Sequence, residues 1–120
     1  MSKAALSIFV YSFYLFLMGL GMIIIPNILL GLFGFEPTHE VWIRMLGVFT
    51  FTTGIYYFQS SRNEQNAFFK ATVIGRIFFF LATLALVFIL NQSKMLILIA
   101  SADLLGATWT GLALRTQKSN

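Results

Sequence analysis

From Ala4 to Ile25 the chain carries no charged side chain, and this run stops at Pro26. A helix that crosses a bilayer needs roughly 20 mostly apolar residues to span about 30 Å of hydrocarbon. Mostly apolar runs of like length follow at about 41–60, 67–90 and 94–114. A chain of 120 residues has too little interior to hide four such segments from water. It is 58% hydrophobic and only 10% charged, a balance that lipid tolerates and a small soluble domain does not. The sequence therefore predicts one all-α domain over residues 1–120, an integral membrane bundle of four transmembrane helices. Lys3 ahead of the first run imitates a signal peptide. That run is too long for a signal and no small-residue cleavage site follows, so it is read as a retained helix.

Residues 26–40 are too short and too Gly-broken to span. They are read as an interfacial segment, a short helix or turn that restarts at Glu36-Pro37-Thr38. Pro37 suits the first turn of a helix, and Glu36 and Glu40 suit its positive end. The other connections are polar, and Ser93 is placed to cap the last helix. Net charge is +4, but the basic residues stand singly rather than on one face. That points to topology and away from nucleic acid. With the N-terminus inside, Lys3, Arg62, Lys70, Arg115 and Lys118 lie on the cytoplasmic side, against Arg44 and Lys94 outside. Both termini are thus expected in the cytoplasm.

Cysteine is absent, which excludes disulfides, thiol catalysis and thiolate metal sites. One histidine cannot supply the paired axial ligands of a membrane haem. No phosphate loop, zinc motif or serine-histidine-acid set is present. No metal site and no catalytic residue is assigned.

Two charges fall near the middle of the runs. At about 1.5 Å per residue, Arg76 and Asp103, each about nine residues into its helix, sit about 14 Å from opposite faces. An ion pair between them at mid-membrane is geometrically possible, and an unpaired charge there costs at least ~2.5–3.5 kcal/mol. Two readings stay open, a clasp between the last two helices or a polar cavity that touches a ligand, proton or ion. Arg44 lies just inside the outer end of the second helix. It either snorkels to headgroups or joins Glu36, His39 and Glu40 in an outward-facing polar pocket. Helical spacing puts Ser7, Tyr11, Tyr14, Met18 and Gly21 on one face. It groups Arg44, Gly47, Phe51, Gly54 and Phe58 on a second, and Ala100, Asp103, Ala107, Thr110 and Leu114 on a third. Such small-residue stripes let helices approach closely in lipid, with a tyrosine-lined ligand cleft as the other reading. They set Arg44, Arg76 and Asp103 on inward faces. Phe78-Phe79-Phe80 is read as packing or lipid-facing, and Trp42 and Trp109 as interfacial anchors.

Pro26, Gly31-Leu32-Phe33-Gly34-Phe35, Trp42-Ile43-Arg44-Met45-Leu46-Gly47, Gly54-Ile55-Tyr56-Tyr57 and Gly75-Arg76 together carry a resemblance. In these the chain is similar to the DoxX-like group of small four-helix membrane proteins, and among them to the DUF4345-type members. The resemblance covers the first three helices and is weakest in the fourth. It implies a bacterial inner-membrane protein with an accessory or binding role, some members of the wider group being linked to oxidative stress. It marks Arg44, Gly47, Gly54, Tyr57 and Arg76 as family-like positions and implies no defined reaction.

The first function considered is a non-enzymatic bundle that binds a hydrophobic small molecule, a lipid or a quinone, or assists a membrane partner. Its polar-core candidates are Arg44, Arg76, Asp103, Tyr11, Tyr14, Tyr57 and Thr110. A second is a dimeric transporter or channel, although the first helix lacks the embedded glutamate of small multidrug exporters. A third is an intramembrane enzyme using Asp103 or Glu40 as acid or base.

Overall fold

The computed structural model describes residues 1–92 and 94–119. It is all-helical, with α1 at Lys3–Ile24, α2 at Pro26–Leu32, α3 at Trp42–Arg62, α4 at Asn66–Ile89 and α5 at Met95–Ser119. Ser2 caps α1, its hydroxyl accepting from the Ala5 N–H at 3.1 Å. Pro26 lacks an N–H, so it cannot extend α1 and instead opens α2 at a position where no donor is needed. The ends of α2, α3 and α4 share one reversal. Gly34 (φ 82), Glu64 (φ 54) and Asn91 (φ 57) turn left-handed. Phe35, Gln65 and Gln92 then donate to the carbonyls of Leu30, Ser60 and Val87 at 2.8, 3.2 and 3.0 Å. This is the 6→1 bond that closes a helix C-terminus.

The α3 reversal also pins the start of the chain. The Glu64 carboxylate accepts from both the backbone N–H and the hydroxyl of Ser2, each at 2.7 Å. Those two bonds hold the Glu64 pKa below its ordinary 4.5.

Helix α1 is the hub. It packs along α3 and also touches α2, α4 and α5, and α4 packs on α5, whereas α3 scarcely meets α4 or α5. The α1–α3 seam is closed by glycine. A Cβ added at Gly19 would stand 2.8 Å from the Gly47 carbonyl oxygen and 2.8 Å from the Phe51 nitrogen. One added at Gly47 would meet the Gly19 carbonyl oxygen at 2.8 Å. The small-residue stripe of this helix thus serves backbone approach. The densest packing gathers at one end, where Ala4, Ala5, Ile8, Phe69, Ala113 and Leu114 are buried. Toward α2 the two helix pairs diverge.

Three segments, Lys3–Ile24, Asn66–Ile89 and Met95–Thr116, are long and apolar enough to cross a membrane. Their outward side chains fit that solvent, with Leu17, Phe78, Ile89 and Leu105 all more than 70% exposed. Helix α3 has 21 residues, but Thr50, Thr52, Thr53, Gln59, Ser60 and Ser61 dilute its apolarity, and it stands outside that set. The restart expected at Glu36-Pro37-Thr38 does not occur. Residues 35–40 have no regular structure, and α3 begins at Trp42. Side chains take over the backbone partners there: Thr38 N–H donates to Asn27 Oδ1 at 2.9 Å, and Glu40 N–H to Thr38 Oγ1 at 3.1 Å. Ser93, the expected cap of the last helix, lies outside the described residues.

Two outcomes test this packing. Gly19→Ala should lower thermal stability in detergent by about 1–3 kcal/mol through overpacking against backbone. Gly31→Ala should not, since nothing lies within 4 Å of a Cβ there. The Glu64 contribution is fully present above about pH 4.5, the unfolded value, and is lost as pH falls through the lower folded value. Melting curves of wild type and Glu64→Gln should therefore differ at pH 6 and converge in acid.

Candidate ligand-binding cavity

Because α3 packs on α1 and not on α4, the gap between the α1–α3 pair and the α4–α5 pair remains open as a cavity of about 600 Å³. Its wall is mostly apolar. Met22 comes from α1, Leu30 from α2, Leu46 and Phe49 from α3, and Phe79 from α4. Trp42 and Leu96 line it at the α2 end. At the packed end it stops at Tyr11, Tyr57 and Arg76.

Arg76 is 4% exposed. Its side chain leans toward the α4 N-terminus, as helical side chains do, and folds onto the preceding turn. Nε donates to the Thr72 carbonyl at 3.2 Å, and Nη2 donates to Thr72 Oγ1 at 3.1 Å and Thr110 Oγ1 at 2.9 Å. Thr110 Oγ1 in turn shares a 2.6 Å hydrogen bond with Ser7 Oγ, which donates to the Ala4 carbonyl at 2.7 Å. The guanidinium carbon lies 5.0 Å from the Tyr11 ring centre and 5.8 Å from that of Tyr57, within cation–π range. Nη1, although buried, has no hydrogen-bond partner among the described residues.

Asp103, 9% exposed, lines the same cavity. The Arg76–Asp103 ion pair expected from depth does not form, and Asp103 makes no hydrogen bond or ion pair among the described residues. The cause is direction rather than depth. Both side chains tilt toward their own helix N-termini, and α4 and α5 are antiparallel, so Arg76 swings toward Thr110 while Asp103 leans the other way. Gly106, one turn beyond Asp103, leaves the space that Arg76 occupies. A Cβ there would stand 2.9 Å from Nη1 and 3.3 Å from the Tyr11 ring.

Tyr11, Tyr14 and Tyr57 line the cavity. Their rings stack in sequence, with Tyr11 5.3 Å from Tyr14 and 5.7 Å from Tyr57. Thr110 is fully buried and sits behind Arg76 rather than in the wall. Arg44 is not inward. It is exposed and donates to the Ile23 carbonyl, satisfying an end-of-helix acceptor of α1. Glu36, His39 and Glu40 are likewise exposed. Arg44 forms no ion pair with them among the described residues, so the outward polar pocket is not assembled. Thr72, Ser7 and Gly106 were not expected as site residues. The signal for Thr72 was its position one turn before a buried arginine.

Thr110→Val keeps the side-chain shape and removes an acceptor from a buried cation. Its thermal stability should fall by about 1–3 kcal/mol, while Thr108→Val, on the exposed face, should leave melting unchanged.

Comparison with protein-family models, with curated proteins and with solved structures yields no match.

Proposed function

We propose that this chain is a non-enzymatic membrane protein whose cavity binds a hydrophobic small molecule, a lipid or a quinone. The observation that carries the reading is an apolar cavity of about 600 Å³ ending on a buried Arg76 whose Nη1 lacks a partner. That volume and wall chemistry are those of small-molecule sites, where a few polar groups fix an apolar ligand's orientation. An acceptor oxygen on the ligand would complete the arginine. In this reading α3 is a fourth transmembrane helix. Its 21 residues span about 31 Å at 1.5 Å per residue, and Arg62 and Trp42 mark its two ends. The basic residues favour cytoplasmic termini. The DoxX-like resemblance favours a bacterial inner membrane, and an accessory role beside a membrane partner is compatible with the same site.

A second reading, a dimeric transporter, draws on one feature. Asp103 lacks the partner that would have committed it to a clasp, and an unpaired acid in a membrane helix is a carrier's group.

The test is a native mass spectrum of protein purified in mild detergent, wild type beside Gly75→Phe. Gly75 lines the cavity, and a Cβ there meets nothing within 4 Å. The variant should therefore fold while narrowing the gap between α3 and α4. A monomer carrying a discrete apolar molecule, lost in Gly75→Phe, is the expected outcome. A ligand-free dimer that moves substrate into liposomes would replace binding by transport.

A further inference from the structure

The cavity has a floor and a rim. On the α1 side it is lined by buried Tyr11 and Leu15 and by half-buried Met18 and Met22. On the opposite side Phe49 of α3 and Phe79 of α4 line it while 74% and 48% exposed. Gly75, also in the wall, is exposed, and a Cβ there meets nothing within 4 Å. Residues that line a void and also face outward mark its mouth, so the cavity opens sideways between α3 and α4. Gly75 and Phe79 lie within about one turn, ~5 Å, of the middle of the Asn66–Ile89 span. In a membrane that mouth faces hydrocarbon and not the aqueous surface.

Asp103, 9% exposed, lines the same cavity, within about one turn of the middle of Met95–Thr116. It makes no hydrogen bond or ion pair among the described residues, and its carboxylate oxygens are not wholly buried. The unmet bonding of this acid is thus turned to the void. Thr50 and Thr53 in the wall differ, since their hydroxyls donate to the carbonyls of Leu46 and Phe49 at 2.9 Å each.

We infer that the guest is an uncharged lipid alcohol, a hydrocarbon bearing an O–H that hydrogen-bonds Asp103. This rests on the small-molecule reading above and narrows its chemistry. A phosphate or ammonium head would have to be carried to mid-membrane, where charge is costly. A phospholipid that kept its head at the surface would offer Asp103 only methylene groups. A quinone or ester carbonyl only accepts, so it answers the acid only when the acid is protonated. A hydroxyl donates and accepts, and so completes Asp103 in either protonation state. The hydroxyls of Tyr11, Tyr14 and Tyr57 have the same latitude and exclude no such guest. Long-chain and isoprenoid alcohols, diacylglycerols and hydroquinones share this chemistry.

The test is saturation binding to wild-type protein in phosphatidylcholine nanodiscs, whose lipid has no O–H or N–H donor. The probes are tritiated hexadecanol, hexadecyl methyl ether and hexadecylammonium, alike in chain and different in head. Hexadecanol should bind at least about tenfold more tightly than either of the others. A smaller ratio would overturn the hydroxyl inference, and saturable ether binding would then leave the apolar cavity standing. Saturable binding of no probe would sink both. Asp103→Leu should erase the preference for alcohol over ether while still binding the ether, which reports a folded cavity. A preference that persisted in that variant would remove Asp103 from the site. Farnesol, a diacylglycerol and a hydroquinone, added as competitors of hexadecanol, assign the hydroxyl to its source.

Discussion

Backbone contact between α1 and α3 at Gly19 and Gly47 governs the shape of everything around it. In lipid no hydrophobic force draws helices together, and close approach with its dispersion contacts is what remains. Two glycines facing each other give α1 and α3 the tightest seam available. Helix α3 is thereby committed to one neighbour. Since α4 and α5 form their own pair, and α1 reaches across to α5, the bundle closes on three sides and stays open on the fourth. The cavity follows from that allocation of contacts and needs no separate device to hold it open.

Within the cavity the chain solves the burial of a cation without a carboxylate. Thr72 and Thr110 supply neutral acceptors, and Tyr11 and Tyr57 supply ring faces. A lysine could not use this arrangement, because the planar guanidinium divides its donors between two helices while presenting its flat face to the rings. Neutral acceptors leave the positive charge formally uncompensated. A direct Arg76–Asp103 pair would have cancelled both charges.

The helices were legible in the sequence because an apolar run of spanning length admits few other structures, and Pro26 punctuates the first of them. The inward positions of Tyr11 on α1, and of Asp103, Ala107 and Thr110 on α5, were legible too, since each lies on a face set by three- and four-residue spacing. Contacts that depend on side-chain direction were not. Arg76 and Asp103 match in depth along the chain, yet Cβ tilt on antiparallel helices sends them apart. Arg44 sits between buried Ile43 and buried Gly47 on the same helix, but its reach carries it out to the α1 terminus. Helix α3 is the ambiguous element, as its threonines and serines serve neither hydropathy nor an obvious motif. Gly106 has no side chain to mark it in the sequence, and only the placement of Arg76 shows what its missing Cβ makes room for.

The two bonds from Ser2 to Glu64 join the first turn of α1 to the corner between α3 and α4. They turn the packed end into the fixed pivot of a pair of tongs. Helix α4 has 24 residues, so its far end lies about 36 Å from that pivot. A change of a few degrees at the corner is then magnified into ångströms at the α2 end. The width of the gap at that end is therefore set by the angle held at this corner, with the seam of α1 and α3 carried along as one arm.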